Sequence, residues 1–204
     1  MKPKAWLVAA ALAFCAPAAN AATLVYASSD VPKIISTDST PSSITIFSNL
    51  VVPDAFTIES LTVRLTVQHT WTNDIDLYLI GPTGLGVELS TDNGGSGDNY
   101  ADTTFDDAAL TSVVSGTAPF SGSYRPEGSL ASFAGTSGLG LWRLQVSDDT
   151  IGFGGILHQW SLTFETAVVP EPETYALLLG SLSLLGFLRR ATRPSRPSPV
   201  IGSA

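Results

Sequence analysis

Apolar and polar side chains alternate along the chain with a period of two, most clearly between residues 61 and 69. Leu61, Val63, Leu65 and Val67 are separated by threonine and arginine residues. Side chains of a β-strand point alternately to opposite faces, whereas an amphipathic helix repeats its apolar positions every three or four residues. The stretch therefore predicts a strand with one buried face and one face towards solvent.

Further stretches alternate in the same way, and turn-forming glycine, proline, asparagine and aspartate residues lie between them. These stretches are Ile75 to Leu79, Leu85 to Leu89, Trp142 to Val146 and Ile156 to Phe164. No amphipathic helix accompanies them. Short strands at close spacing predict an all-β fold, either an antiparallel sandwich or a barrel.

The first 21 residues predict a secretory signal peptide. A basic start, Met1 to Lys4, is followed by the apolar run Ala5 to Ala16 and by the small-x-small sequence Ala19-Asn20-Ala21. This order is typical of a segment that is removed after export, here after about Ala21. A lipoprotein signal would need a small residue before its cysteine, but Phe14 precedes Cys15. Cleavage removes this single cysteine, so we expect an exported domain without disulfides.

The other end of the chain predicts a second targeting segment, residues 168–191. Pro170-Glu171-Pro172 precedes the uncharged and mostly apolar run 174–188, and Arg189-Arg190 follows it. The run predicts a transmembrane helix of about 22 Å, which is short for the ~30 Å hydrocarbon core of a membrane. The arginines place the tail 192–204 in the cytoplasm.

This order of Pro-Glu-Pro, short apolar helix and arginines resembles the PEP-CTERM sorting signal of Gram-negative bacteria. The resemblance implies that an exosortase recognises the segment and cuts near Pro172. The inner membrane would then hold the chain only before processing. The tail after Arg190 is longer than these signals usually carry, and an ordinary single-span tail anchor is the alternative.

Acidic residues are concentrated in the domain between the two targeting segments, Ala22 to Ala167. This domain holds four of the ten lysines and arginines but sixteen of the eighteen acids, so its net charge is −12, compared with −8 for the whole chain. Such a domain repels the phosphates of nucleic acid and attracts divalent cations. Nucleic acid is therefore excluded as a partner.

A series of short motifs spans residues 44–165. The motifs include His69-Thr70-Trp71, Asp74-Ile75, Gly81-Pro82, Gly94 to Asn99, Thr104 to Ala109, Pro119 to Glu127, Gly140-Leu141-Trp142, Gly154-Gly155 and Trp160-Ser161-Leu162. In this order they resemble the P/Homo B domain, which follows the catalytic domain in subtilisin-type proprotein convertases. The resemblance implies a jelly-roll-like antiparallel β-sandwich of about eight strands. In convertases this module supports the folding and stability of the protease, so we expect a protein that is not an enzyme.

The sequence supports catalysis only weakly. A serine hydrolase needs a serine, a histidine and an acid brought together, and the Gly-x-Ser-x-Gly motif of one such class does not occur. His69 and His158 follow the phase of the apolar residues around them, so we expect both to be packed in the sheets. The candidates for a glycosidase carboxylate pair are Asp74, Asp76, Asp106 and Glu127. Sixteen acids produce such pairs by chance, however.

Three tryptophans of the domain are candidates for stacking on sugars. The alternation places Trp142 and Trp160 on buried strand faces, so we expect both to lie in the core. Trp71 lies outside the alternating stretches.

Calcium is the stronger chemical candidate, because Ca²⁺ binds six to eight oxygens from carboxylates, amides and carbonyls. Asp74-x-Asp76 places two carboxylates at a strand end, and other acids lie in the irregular stretch 90–104 and after it. The candidate calcium ligands are Asp74, Asp76, Asp98, Asp102, Asp106 and Asp107. No spacing matches an EF-hand, so the site would be assembled from separate loops. The alternative is that these acids form a solvated surface.

These patterns predict an exported, non-catalytic β-sandwich that is anchored transiently and then located at the cell surface or outside the cell. Its expected role is structural or adhesive, in contact with exopolysaccharide or a surface protein. A stand-alone P-domain that binds or stabilises a secreted subtilisin-like protease in trans is the first alternative. An enzyme of unfamiliar geometry is the second.

Overall fold

The computed structural model describes residues 21–37, 43–150, 152–166, 179–182 and 184–185. Residues Ala21–Ala167 form one compact unit. Several predictions concern residues outside the described ranges, namely residues 1–20 of the signal peptide, the sorting residues Pro170, Glu171, Pro172, Arg189 and Arg190, and the tail 192–204.

The predicted transmembrane helix 174–188 is described in part. Residues 179–182 and 184–185 are helical. Across the described ranges, we find no helix with the length and apolar character needed to span a membrane.

Ten strands build the described part of the unit. They are β1 (Thr23–Ala27), β2 (Lys33–Ser36), β3 (Ile44–Val52), β4 (Ile58–His69), β5 (Ile75–Ile80), β6 (Gly86–Ser90), β7 (Tyr100–Phe105), β8 (Phe120–Tyr124), β9 (Gly140–Asp148) and β10 (Gly155–Thr166).

The strands form two sheets. The six-stranded sheet has the order β1-β10-β4-β7-β8, with β2 also paired to β10, and the four-stranded sheet has the order β3-β9-β5-β6. The predicted all-β sandwich is therefore confirmed. One pair departs from the antiparallel prediction, because β7 and β8 are parallel. The connection 106–119 between them has the length that a parallel crossover requires.

The core lies between the sheets and contains the residues that the alternation placed there. Leu61, Val63, Leu65 and Val67 of β4 are all buried. Trp142 and Trp160 are buried as predicted, and each indole N–H donates a hydrogen bond, to the Gly138 carbonyl and to Ser48 Oγ respectively, both at 2.9 Å. Since a buried polar group without a partner is costly, these bonds allow both rings to be fully enclosed.

A β-bulge in β10 corrects the predicted phase of that strand. Leu157 pairs with Val67 and Gln159 pairs with Thr66, so His158 is the extra residue between two consecutive pairs. After the bulge the buried face changes by one position, because side chains alternate strictly along a regular strand. His158 is therefore exposed, and its predicted packing in the sheet is wrong.

The first and last strands of the unit pair with each other. Thr23 lies opposite Glu165 in the antiparallel pair of β1 and β10. The Thr166 amide donates to the Ala22 carbonyl at 3.0 Å, and the Ala22 amide donates to Thr166 Oγ1 at 3.1 Å. The first and last strands of the sandwich therefore lie side by side in the same sheet.

Candidate metal centre

Three buried oxygens without a hydrogen-bond partner lie within five consecutive residues, in the turn after β4 and at the start of β5. Residues Thr72–Asp74 form a single 3-10 turn, and β5 begins at Ile75. Within the described residues, Thr72 Oγ1, Asp74 Oδ2 and Asp76 Oδ1 have no partner. A buried polar atom in this condition costs about 1–3 kcal/mol, so native proteins contain few of them. Three such atoms within five residues of the chain indicate a segment where a ligand would supply missing contacts.

Burial and neighbouring acids raise the pKa of both aspartates. Asp74 is 6% exposed, and its pKa is raised chiefly by burial and further by Asp148 and Asp149, against the opposing hydrogen bond from Thr150 and the charge of His69. The pKa of Asp76 is raised to about 6, first by burial and then by Asp92, Asp149 and Glu88. Each of the two positions therefore disfavours a negative charge unless a cation compensates it.

Calcium-free protein is expected to become more stable as the pH falls from 7 to 5, in part because of Asp76. Its folded pKa of about 6 lies above the ordinary value of 3.8, so the folded state binds the proton more tightly. Stability is gained as the pH falls through 6 and is lost again as it rises. Melting temperatures in EDTA at pH 5, 6 and 7 measure this gain.

Asp76→Asn tests this assignment, because protonation of the remaining acids also relieves repulsion in so acidic a protein. The variant should be more stable than wild type at pH 7 and should depend less on pH. The exposed Asp98 is the matched control, and Asp98→Asn should keep the wild-type pH profile. Equal profiles for Asp76→Asn and wild type would contradict the prediction.

The loop 91–99 covers the turn between β4 and β5. The Thr72 amide donates to the Gly97 carbonyl at 2.9 Å, and the Asn73 amide donates to the Gly95 carbonyl at 3.2 Å. Gly94 has φ +85°, and a Cβ there would lie 2.3 Å from Thr72 Oγ1. The close approach of the loop therefore depends on glycine at this position.

The other predicted calcium ligands are exposed or already paired. Asp98 is exposed. Asp102 lies on β7, which begins at Tyr100, so the irregular stretch predicted for residues 90–104 ends earlier than expected. The Asp102 carboxylate pairs with the Arg64 guanidinium. The hydrogen bond from Arg64 lowers the pKa of Asp102. An acid already paired in this way is a poor candidate for a metal ligand.

Asp106 and Asp107 bind backbone amides. Asp106 Oδ1 accepts a hydrogen bond from the Ala108 amide at 2.8 Å. The Asp107 carboxylate accepts bonds from the Leu130 amide at 3.0 Å, the Ala131 amide at 2.8 Å and the hydroxyl of Ser129 at 2.9 Å. Both carboxylates therefore stabilise loops, as acids at the start of a turn commonly do.

A buried serine, aspartate and histidine meet beside the turn. The Ser36 hydroxyl donates to Asp148 Oδ2, and His69 Nε2 lies 3.4 Å from the same oxygen. His69 Nδ1 faces the Trp71 backbone, 2.8 Å from its carbonyl oxygen and 3.2 Å from its amide nitrogen. All three side chains are at most 5% exposed, and the predicted packing of His69 is confirmed.

This arrangement does not have the geometry of a hydrolase triad. In a triad the histidine lies between the serine and the acid and takes the proton of the serine. Here Asp148 lies between Ser36 and His69, so the imidazole has no hydrogen bond to the hydroxyl. The three residues form a buried hydrogen-bond network that connects β2, β4 and β9.

The turn offers oxygen ligands of the kind that Ca²⁺ takes, but it does not form a complete carboxylate cage. Among the described residues, no group of three or more His, Cys, Asp or Glu side chains is placed to hold a metal ion. Ca²⁺ also accepts hydroxyl, carbonyl and water oxygens, and the Thr72 hydroxyl is buried without a partner. The donor set therefore fits calcium with two carboxylates, one hydroxyl and additional oxygens from the backbone or water.

Sequence reasoning found Asp74 and Asp76 but missed Thr72 and Asp92. The available signal was the spacing Thr72-x-Asp74-x-Asp76, which places three oxygen-bearing side chains at alternate positions. Asp92 gives no such signal, because its proximity to Asp76 depends on the path of the loop 91–99.

Comparisons with known proteins identify the fold family. The family model of the proprotein convertase P-domain matches residues 58–164, which is more than half of the chain. Among solved structures, the serine protease of Aeromonas sobria is similar, with 17% sequence identity and a TM-score of 0.45. The complex of that protease with the chaperone ORF2 matches with 18% identity and the same TM-score. The match covers 74% of this chain and 28% of the protease chain in both structures.

No curated protein matches the chain. The predicted P/Homo B resemblance, which spanned residues 44–165, is confirmed by the family model over 58–164. The chain belongs to the proprotein convertase P-domain family.

Proposed function

We propose that this protein is an exported, non-catalytic β-sandwich that an exosortase processes and that has a structural or adhesive role at the cell surface or in the extracellular matrix. Its contacts there are with exopolysaccharide or a surface protein. The inner membrane holds it only before processing.

The observation that carries this proposal is the closure of the sandwich between Ala22 and Thr166. Both proposed targeting segments, residues 1–21 and 168–191, lie outside this closed unit. The core and the hydrogen bonds described here are formed among residues 22–166, as a processed surface protein requires. The buried network around Asp148 supports the non-catalytic part, because the Ser36 hydroxyl donates to Asp148 and not to the imidazole of His69.

We further propose that the domain binds Ca²⁺ at Asp74 and Asp76, with Thr72 contributing a hydroxyl. The buried oxygens without partners and the raised pKa values support this site. The cation would replace disulfides as a stabilising element outside the cell, since metal binding adds to the free energy of folding.

Processing near Pro172 is expected in a host that contains an exosortase. Intact-mass measurement of the surface or extracellular protein should show a chain without residues 174–204. Glu171→Ala should block processing, because Glu171 is the acid of the Pro-Glu-Pro motif. Glu173→Ala is the matched control and should be processed like wild type. Surface-located protein that retains its arginine tail would refute this prediction.

An exposed apolar face supports a second function, binding to a secreted subtilisin-like protease in trans. Val51 on β3 lies opposite Leu141 on β9 on the outer face of the four-stranded sheet. The two side chains are 67% and 47% exposed, and Phe47 lies on the same face. Adjacent exposed apolar residues are typical of protein interfaces.

Co-purification distinguishes this second function from the first. If the protein binds a protease in trans, the tagged protein should retain a subtilisin-like protease from culture supernatant, and the double variant Val51→Asp, Leu141→Asp should lose it. Val25→Asp is the control, because Val25 is similarly exposed but lies on the other sheet. If the double variant retains as much protease as the wild type, this face is excluded as the binding surface.

A further inference from the structure

Two concavities lie along β10 on the outer face of the six-stranded sheet. The first has a volume of about 200 Å³ and is lined by residues of β2, β4 and the start of β10, among them Ile34, Gln68 and Ile156. The second has a volume of about 400 Å³ and is lined by residues near the end of β1 and on β4 and β10, among them Ser28, Arg64 and Gln159. We call the two concavities and the His158 bulge between them the β10 groove.

The β10 groove exists because β1 and β2 cover different parts of the same edge. β2 pairs with residues 155–157 of β10, and β1 pairs with residues 161–165. Between them the chain crosses the edge at Ser28, whose amide donates to the Trp160 carbonyl at 3.0 Å. The two concavities lie along the segment of β10 from Gly155 to Ser161, which is about 20 Å long at the rise of a β-strand, the length of a segment of an extended polymer.

The lining combines polar and apolar groups and carries little free charge. Gln68, Gln159, Ser161 and the neighbouring His158 present amide, hydroxyl and imidazole groups. Arg64, the charged residue of the lining, is paired with Asp102. A lining that both donates and accepts hydrogen bonds without a net charge matches a ligand rich in hydroxyl groups.

The polar side chains are held in place before a ligand arrives. His158 Nε2 lies 3.1 Å from Gln68 Oε1, and the Gln159 amide donates to Thr66 Oγ1 at 3.3 Å. Fixed side chains lose less conformational freedom on binding. The 65% exposed Ile34 beside them offers apolar surface for the C–H groups of a sugar ring.

A pair of aromatic side chains lies next in sequence to the first concavity of the groove. Phe153 directly precedes Gly154 of the lining and stacks on Trp71, with ring centroids 5.6 Å apart and the planes inclined by 25°. Both rings are more than a third exposed. Exposed rings of this kind provide large, rigid contact area for a ligand with an apolar face.

We infer that the β10 groove binds a neutral polysaccharide chain. The domain charge of −12 opposes a polyanion, and the lining offers no free carboxylate that would select a polycation. This inference rests on the proposed function and specifies the site and chemistry of its contact with exopolysaccharide.

Affinity electrophoresis of the purified protein tests the inference. Native gels contain dextran, hydroxyethylcellulose, laminarin or galactomannan as neutral probes, or alginate as the anionic probe, and all gels contain EDTA so that calcium plays no part. We expect at least one neutral polymer to slow the wild-type protein and alginate to leave its mobility unchanged. The double variant His158→Ala, Gln159→Ala should raise the apparent Kd by about tenfold, as the loss of one or two hydrogen bonds implies.

Gln145 provides the matched control, because it presents the same amide on the outer face of the opposite sheet. Gln145→Ala should bind like wild type, and all variants should melt like wild type because the substituted side chains are at the surface. Failure of all four neutral polymers, equal retardation by alginate, or equal loss in Gln145→Ala would overturn the inference. These outcomes do not depend on C-terminal processing, so they are distinguishable from a failure of the proposed function.

Discussion

Millimolar calcium is expected to raise the melting temperature of the purified protein by about 5–10 °C. At a calcium concentration 100 times the dissociation constant, binding to the folded state alone adds about 2.7 kcal/mol to the free energy of unfolding. For a chain of 150–250 residues each kcal/mol corresponds to about 2–4 °C. The physical cause is that Ca²⁺ would satisfy the orphaned oxygens of Asp74 and Asp76 and compensate their charges.

The controls must separate a site from general screening, since any salt stabilises so acidic a domain. Melting is therefore compared in CaCl₂, in MgCl₂ and in NaCl of equal ionic strength. Asp74→Asn should remove most of the calcium-specific shift, whereas Asp98→Asn and Asp106→Asn should preserve it. Equal shifts in the three salts, or an undiminished shift in Asp74→Asn, would show that these acids are a solvated surface.

Asp148→Ala is expected to lower the free energy of unfolding by about 3–5 kcal/mol, the cost of removing one partner from a buried charged network. The carboxylate is 1% exposed and accepts hydrogen bonds from the Ser36 hydroxyl and from the Thr150 amide, with His69 beside it. Alanine leaves these groups buried without their acceptor. Denaturation by guanidinium in EDTA measures the loss.

Asp149→Ala is the matched control for this change. Asp149 is the adjacent residue and is exposed. Its replacement relieves repulsion with Asp74 and Asp76, so it should raise stability slightly, by no more than about 0.5 kcal/mol. Asp148→Asn keeps the size of the side chain, and its free energy of unfolding should lie between those of Asp148→Ala and Asp149→Ala. It can also be measured if Asp148→Ala does not fold. Similar stabilities for all three variants would show that the network contributes little.

The regular strands could be predicted from the sequence because burial on one face imposes a strict period of two. This holds for β4, whose four apolar positions between Leu61 and Val67 are all in the core. The prediction from the period of two fails at His158, because a bulge adds one residue without any change in the apolar or polar character of the strand. The parallel pairing of β7 and β8 was missed for a similar reason, since their alternation is the same in either direction.

The candidate site could be predicted only in part, because a sequence shows which residues are acidic but not which are already paired. Asp102 and Asp107 look as suitable for calcium as Asp74 until Arg64 and the amides of residues 130 and 131 are placed beside them. Asp76 acquires its raised pKa from burial and from Asp92 and Asp149. The proximity of such distant segments depends on the order of the strands in the sheets, and local sequence patterns do not show that order.

The pairing of the first and last strands also determines how the domain can be rearranged. Since the chain enters at Ala22 and leaves at Thr166 through neighbouring hydrogen-bonded positions, a short linker could join these two ends without disturbing the sheet. New ends could then be opened in an exposed loop, as in a circular permutation. By the same geometry, the whole sandwich could be inserted into a surface loop of another protein while the two halves of that host remain close together.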